Sequence, residues 1–145
     1  MKNTHGYRLA SKGKRLIARL VDGIFFTFLA IGINVILGNS VADYWNDDFE
    51  LIEIVYSAIS GLIFGAIFYP LFTGNLGHRI FNLKVISSET GEDYNKAEKG
   101  AIREFLKNVL AFLLIPVIWI LWDDKNQNLY DKITKTLVVE KNKVA

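Results

Sequence analysis

Three apolar stretches, Leu20 to Gly38, Ile54 to Phe72 and Asn108 to Trp122, fall within a chain of 145 residues and hold a single charged side chain, Asp22. A water-soluble domain of this size has too little interior to hide three such segments, so they select a lipid bilayer as their solvent. Composition agrees: 51% of residues are hydrophobic, 13% are aromatic, and the mean hydropathy is +0.23 despite a polar tail at each end. There is no cysteine, which removes disulfides, thiolate catalysis and cysteine-ligated metals together and is compatible with a bacterial inner membrane. The start, MKNTHGYRLASKGKRLIARL, is too long and too charged ahead of its apolar part for a cleavable signal, so it reads as retained.

Charge orders the segments across the bilayer. Lys2, Arg8, Lys12, Lys14, Arg15 and Arg19 precede the first apolar stretch with no acid among them, which keeps that end in the cytoplasm. The first loop carries Asp43, Asp47, Asp48, Glu50 and Glu53 without Lys or Arg, and Tyr44 and Trp45 suit an interfacial belt; it is expected outside. The next connection is rich in Lys and Arg and returns to the cytoplasm. The resulting expectation is one membrane domain over 1–145: a basic cytoplasmic tail (1–15), a first span (16–38), an acidic external loop (39–53), a second span (54–73), a cytoplasmic connection (74–104), a third membrane segment (105–122) and a tail (123–145).

The third segment is different. Its uncharged run covers only about 22 Å of helix at ~1.5 Å per residue, against a hydrocarbon core of ~30 Å. Pro116 lies inside it and can break the helix. The tail beyond holds Lys125, Lys132, Lys135, Lys141 and Lys143, which argues against export. The favoured reading is therefore a re-entrant segment that bends near Ile115 and Pro116; a kinked, tilted span is the alternative. Leu83 to Ser87 and Thr136 to Glu140 read as strands, able to pair as a small cytoplasmic β-ribbon, and Asn95 can cap a helix leading into the third segment. The fold class expected is an all-α integral membrane protein with two transmembrane helices, a third membrane segment and that ribbon.

Within the second span Ser57, Gly61 and Gly65 recur every four residues and form a smooth stripe suited to close helix contact, within the chain or between copies. Asn34 is the one amide in the first span and is expected to bond across to another helix. In RLIARLVDGIFF, Arg15, Arg19 and Asp22 share one helix face, and a carboxylate one turn deeper than Arg19 needs a partner, since unpaired it costs ~2.5 to 3.5 kcal/mol. An Arg19–Asp22 ion pair, structural or serving a proton or cation, is the expectation.

The segments ARLVDGIFF, TGNLGHRIFNLKVISSETGE, Arg103 before an apolar run, and WDDKNQNLYDKITKTLVVE together resemble the RDD family of small bacterial membrane proteins over nearly the whole chain. The resemblance maps the family's arginine and two aspartates onto Arg19, Asp22 and Asp131. Its other marks fall on Thr73, Gly77, Gly91, Arg103, Thr136 and Val138. It implies an integral membrane protein with three hydrophobic segments, with transport, and cation/proton antiport for some members, as the family's proposed activity. If Asp131 folds back so that it and Asp22 share Arg19, replacing either acid destabilises the protein about equally.

Two functions follow as expectations. One is a structural or accessory membrane protein that oligomerises through the Ser57, Gly61, Gly65 face, with itself or another membrane protein, and offers a basic surface to lipid headgroups. The other is an antiporter in which Asp22 and Asp131 exchange a proton and a monovalent cation. Enzyme chemistry is not expected, and neither is a cofactor. His5 and His78 lack metal-ligand spacing, and Asp124, Asn126 and Asn128 open a calcium loop whose glycine and closing glutamate positions are Leu129 and Lys135. Gly74 to Arg79 is too short for a phosphate loop, and Gly74 after Pro70 fits a helix end. The basic residues flank spans, where orientation and anionic lipid already account for them, so nucleic acid is not expected.

Overall fold

A computed structural model describes residues 3–46, 50–111, 113 and 118–143. The bend expected at Ile115 and Pro116 lies outside the described residues. Helix α1 runs over Lys12–Ile36, with the Ser11 hydroxyl accepting the Lys14 N–H at 3.2 Å as its cap. Lys12, Lys14, Arg15 and Arg19 thus lie in the first two turns of the span helix, where they can reach carbonyls and acids beside it. A short helix α2, Val41–Asn46, lies in the acidic loop, and α3 covers Leu51–Phe72. It ends at Thr73 in left-handed conformation (φ 59), its N–H donating to the Tyr69 carbonyl at 2.9 Å, so threonine and not Gly74 makes the turn. Lys12–Ile36 and Leu51–Ile80 are each long and apolar enough to cross a membrane, and only 11% and 17% of their most apolar windows are buried. Such helices, apolar on nearly every face and uncovered, fit lipid and would not fit water.

At one end of these helices sits a four-stranded sheet of order β1-β2-β4-β3, built from β1 (Asn3–Thr4), β2 (Tyr7–Leu9), β3 (Leu83–Ser87) and β4 (Thr136–Lys143). The expected ribbon is present as β3 and β4, antiparallel from Leu83↔Glu140 to Ser87↔Thr136. A hairpin from the N-terminus, unforeseen, extends it. Leu83, Val85 and Val138 pack with Ala10, Ala18, Tyr69 and Tyr94 on one side; Ile86, Leu137 and Val139 pack with Tyr7 and Leu9 on the other.

The frame around this sheet repeats itself. After α3 comes α4 (Leu76–Ile80) and then β3; after a 3-10 turn at Trp119–Leu121 comes α6 (Leu129–Ile133) and then β4. Each short helix starts at an extended asparagine, Asn75 (φ −80, ψ 177) or Asn128 (φ −80, ψ 169), with a capping box closed by His78 or Asp131. Left-handed residues precede and follow both, Thr73 and Asn82 in one unit and Asn126 and Lys135 in the other. The units are related by a pseudo-twofold axis at the Val85↔Val138 pair. The outer edges obey it too, because Ala10 N–H donates to the Val138 carbonyl at 3.0 Å and Tyr94 N–H to the Val85 carbonyl at 2.9 Å. Each edge segment then enters a helix, α1 or α5 (Ala97–Ala111). Counted from Ala10 and Tyr94, Arg19 and Arg103 occupy matching positions.

Helix α5 lies along α3. An added Cβ on Gly61 would stand 2.7 Å from Asn108 Nδ2 and 2.9 Å from the Glu104 carbonyl, one on Gly65 would collide with the Gly100 carbonyl, and one on Gly100 with the Tyr69 ring. The Ser57 carbonyl accepts Asn108 Nδ2 at 2.7 Å. This corrects the expectation of oligomerisation through the Ser57, Gly61, Gly65 stripe: those glycines let two backbones of the same chain approach, so the face is already occupied. Helix α1 instead crosses α4, with Gly77 against the Ala18 carbonyl, and meets α3 through Phe26 and Phe64 at 4.9 Å between rings.

Candidate functional site

Where α1, α3, α4, α5 and α6 converge below the sheet, six charged side chains are buried: Arg15, Arg103 and Lys107 with Asp22, Glu104 and Asp131. Charges taken from water are tolerable only when paired and hydrogen-bonded, and the local structure explains how each is met. Asp131 is the N3 residue of α6, so its Oδ2 accepts the Asn128 N–H at 2.9 Å. The same oxygen accepts Arg15 Nη2 at 2.5 Å, while Oδ1 accepts Arg103 Nη2. Burial alone would raise the Asp131 carboxyl, but the guanidinium groups of Arg15 and Arg103 outweigh it and hold it at about 2. Arg103, free of solvent contact, spends its remaining donors on the Tyr69 hydroxyl, Glu104 Oε1 at 3.1 Å and the Thr136 hydroxyl at 3.3 Å. Its position in α5 therefore ties α3, α5, α6 and β4 together.

Glu104 and Asp22 form the second half. Tyr69 donates to Glu104 Oε1 at 2.9 Å, and Asn75 Nδ2 donates to Glu104 Oε2 at 2.8 Å and Asp22 Oδ2 at 3.3 Å. Lys107 donates to Glu104 Oε2 at 2.6 Å and stands 4.0 Å from Asp22. Asp22 Oδ1 accepts the Gly77 N–H at 2.7 Å, a bond open only because Gly77 has no side chain to push α4 off α1. His78 Nδ1 accepts the Asn75 N–H at 3.1 Å, which leaves Nε2 as its protonated nitrogen.

The structure thus brings Asp131, Arg103 and Thr136 together, and Asp22 with Gly77, but joins Arg19 to neither acid. The shared cluster of Arg19, Asp22 and Asp131 is corrected: Asp131 uses Arg15, one turn earlier on the same face, and Asp22 uses backbone and amide donors. Arg19 Nη1 is buried without a hydrogen-bond partner among the described residues, and so is Asn34 Oδ1, expected to bond across to another helix. Thr73 acts through its backbone, closing α3 and accepting the Val85 N–H at 2.7 Å. Gly91 turns the chain after β3 at φ 75.

Two cavities adjoin the cluster, and Arg19, Asp22 and Lys107 border both. One, about 220 Å³, lies between α1, α3 and α5 with Ser60, Gly61, Glu104 and Asn108 on its wall. The other, about 60 Å³, is lined by Lys12, Arg15, Leu16, His78, Ile120 and Tyr130. Among the described residues no group of three His, Asp or Glu side chains is placed to hold a metal ion. Tyr69, Asn75, Glu104, Lys107 and Asn128 were missed from sequence; the signal for two of them, an asparagine three residues before His78 and before Asp131, was present.

A family model described as the RDD family matches residues 9–135. Neither a curated protein nor a solved structure matches the chain. The matched range contains Arg15, Asp22, Arg103 and Asp131 and covers most of the sequence, and with its two apolar helices the chain is a small membrane protein that belongs to the RDD family.

Proposed function

We propose that this protein is a non-enzymatic accessory component of a bacterial cytoplasmic membrane, whose inner-surface sheet fastens its membrane helices into one unit and presents a basic surface to headgroups or a partner. The observation that carries this reading is the sheet, which draws strands from the N-terminal tail, the connection after α3 and the C-terminal tail into one layer. Strands paired in one sheet lie on one side of a bilayer, and the basic flanks of α1 make that side the cytoplasm. The third segment then enters and leaves on the same side. Contact with a second copy or another membrane protein runs through α1, where no described residue lies within 4 Å of a Cβ built on Gly23 or Gly32. Reporter fusions after Ser40 and after Ala145 test the arrangement. A periplasmic signal from the first and a cytoplasmic one from the second is the expected pattern; a periplasmic C-terminus overturns the reading.

The cavity beside Asp22 and Glu104 supports a second reading, exchange of a proton and a monovalent cation at Asp22. Asp131 contributes little to that reading, because both its oxygens are engaged by guanidinium groups. Liposomes holding the purified chain separate the two: cation-driven proton movement abolished by Asp22→Asn supports exchange, and its absence in the wild type supports the accessory role.

A further inference from the structure

The pseudo-twofold frame makes one half-buried group conspicuous. Arg103 and Arg19 occupy matching places, and so do the N3 residues of the two capping boxes, Asp131 and His78. In one half the pair is a guanidinium and a carboxylate in contact. In the other the carboxylate position is histidine, and Arg19 keeps a buried nitrogen with no partner among the described residues. The six charges buried in the cluster are three of each sign. Arg19 adds a further cation, in no ion pair among the described residues, bordering the same cavity as His78, Lys12, Arg15 and Asp22.

We infer that Arg19 binds the phosphodiester of a phospholipid from the leaflet on the sheet side. The guanidinium is half-buried, with Nη1 enclosed, and that nitrogen needs an oxyanion, since a fork of N–H donors matches carboxylate or phosphate geometry. The walls define the source. Leu16 and Ile120 line the cavity, and Leu16 and Leu20, on either side of Arg19 along α1, are 59% and 57% exposed, so acyl chains have an apolar track leading to the cation. Arg19 also lies two turns into the span helix from its sheet end, the level at which a span meets headgroups. His78, whose Nε2 carries its proton, lines the same cavity.

The full chain, purified in mild detergent, is titrated with phosphatidylglycerol and read by native mass spectrometry, with diacylglycerol and inorganic phosphate as comparison probes. One phosphatidylglycerol retained per chain is expected, roughly tenfold more tightly than diacylglycerol, as a hydrogen bond to a charged group implies. Arg19→Gln should lose that advantage. His78→Asp should lose it too while raising the melting temperature, because aspartate closes the equivalent capping box at Asp131 and would give Arg19 a carboxylate inside the chain. Equal retention of phosphatidylglycerol and diacylglycerol by the wild type overturns the inference, whatever the variants do. Unchanged retention in folded Arg19→Gln or His78→Asp also overturns it, and inorganic phosphate binding with the same dependence on Arg19 overturns the lipid source.

Discussion

Asp131→Asn should be the most damaging conservative change in this chain, and well ahead of Asp22→Asn. Asparagine keeps the shape of Asp131 but turns one acceptor oxygen into a donor. Neither oxygen can be spared: Oδ2 receives Arg15 at 2.5 Å and the Asn128 N–H at 2.9 Å, and Oδ1 receives Arg103. Two buried guanidinium groups also lose a carboxylate, Arg103 keeping Glu104 at 3.1 Å, and removing one partner of a buried ion pair costs about 3–5 kcal/mol. Asp22→Asn can keep its acceptor on the Gly77 N–H at 2.7 Å, and the lysine 4.0 Å away retains Glu104 at 2.6 Å. Its loss is that of a hydrogen bond to a charged group, about 1.5–3 kcal/mol at most. Reversible unfolding in mixed detergent micelles, followed by circular dichroism at 222 nm, measures both. An Asp22 variant that loses as much stability as the Asp131 variant, or an Asp131 variant that unfolds like the wild type, refutes the assignment of Asp131 as the centre of the lock.

Acid should reveal the same carboxylate. Asp131 titrates at about 2 when folded, below the ordinary 3.8, so its contribution is complete above pH 3.8 and is lost as pH falls through 2; the difference is worth about 2 kcal/mol. Between pH 5 and 2, stability should therefore fall more steeply in the wild type than in Asp131→Asn, as equilibrium unfolding at stepped pH checks. Gly65→Ala forces a methyl into the Gly100 carbonyl and should cost about 1–3 kcal/mol in the same unfolding assay. Gly32→Ala, where no described residue lies within 4 Å, should be neutral or gain up to ~1 kcal/mol. Arg103→Lys, which can replace only part of the fork joining Asp131, Tyr69, Glu104 and Thr136, should lower the melting temperature more than Arg8→Lys on the surface.

Much of the frame was legible because its causes are local. Apolar runs and charge asymmetry locate the span helices, and branched residues at Leu83–Ser87 and Thr136–Glu140 mark the two strands that pair. The arginine was not legible, because Arg15 and Arg19 lie one turn apart on one face and either could reach an acid brought back by the tail. Which one does so depends on where α6 docks, a tertiary fact. The role of the glycine stripe failed for a similar reason: a smooth face is visible in Ser57, Gly61 and Gly65, but that its occupant is α5 of the same chain depends on Gly100 lying across from it. The repeat was visible in principle, as NLGHRI before one strand and NLYDKI before the other, yet the identities are few and the turns that align them are backbone conformations at Thr73, Asn82, Asn126 and Lys135.

The internal symmetry also separates two roles that a single list of charged residues would merge. Both halves of the frame place an arginine in the helix that leaves an edge segment, and both place a capping-box side chain where that arginine can be met. Where the side chain is Asp131, the result is a closed ion pair without solvent access, and such a group can only hold structure. Where it is His78, the arginine borders a cavity and gives no bond through Nη1 among the described residues. The two arginines should therefore fail differently when changed to glutamine: Arg103→Gln lowers stability in any detergent, whereas Arg19→Gln leaves delipidated protein as stable as the wild type and removes only the gain that added phosphatidylglycerol confers. A loss of stability in delipidated Arg19→Gln equal to that of Arg103→Gln would mean that both halves serve as locks and that the histidine marks no divergence between them.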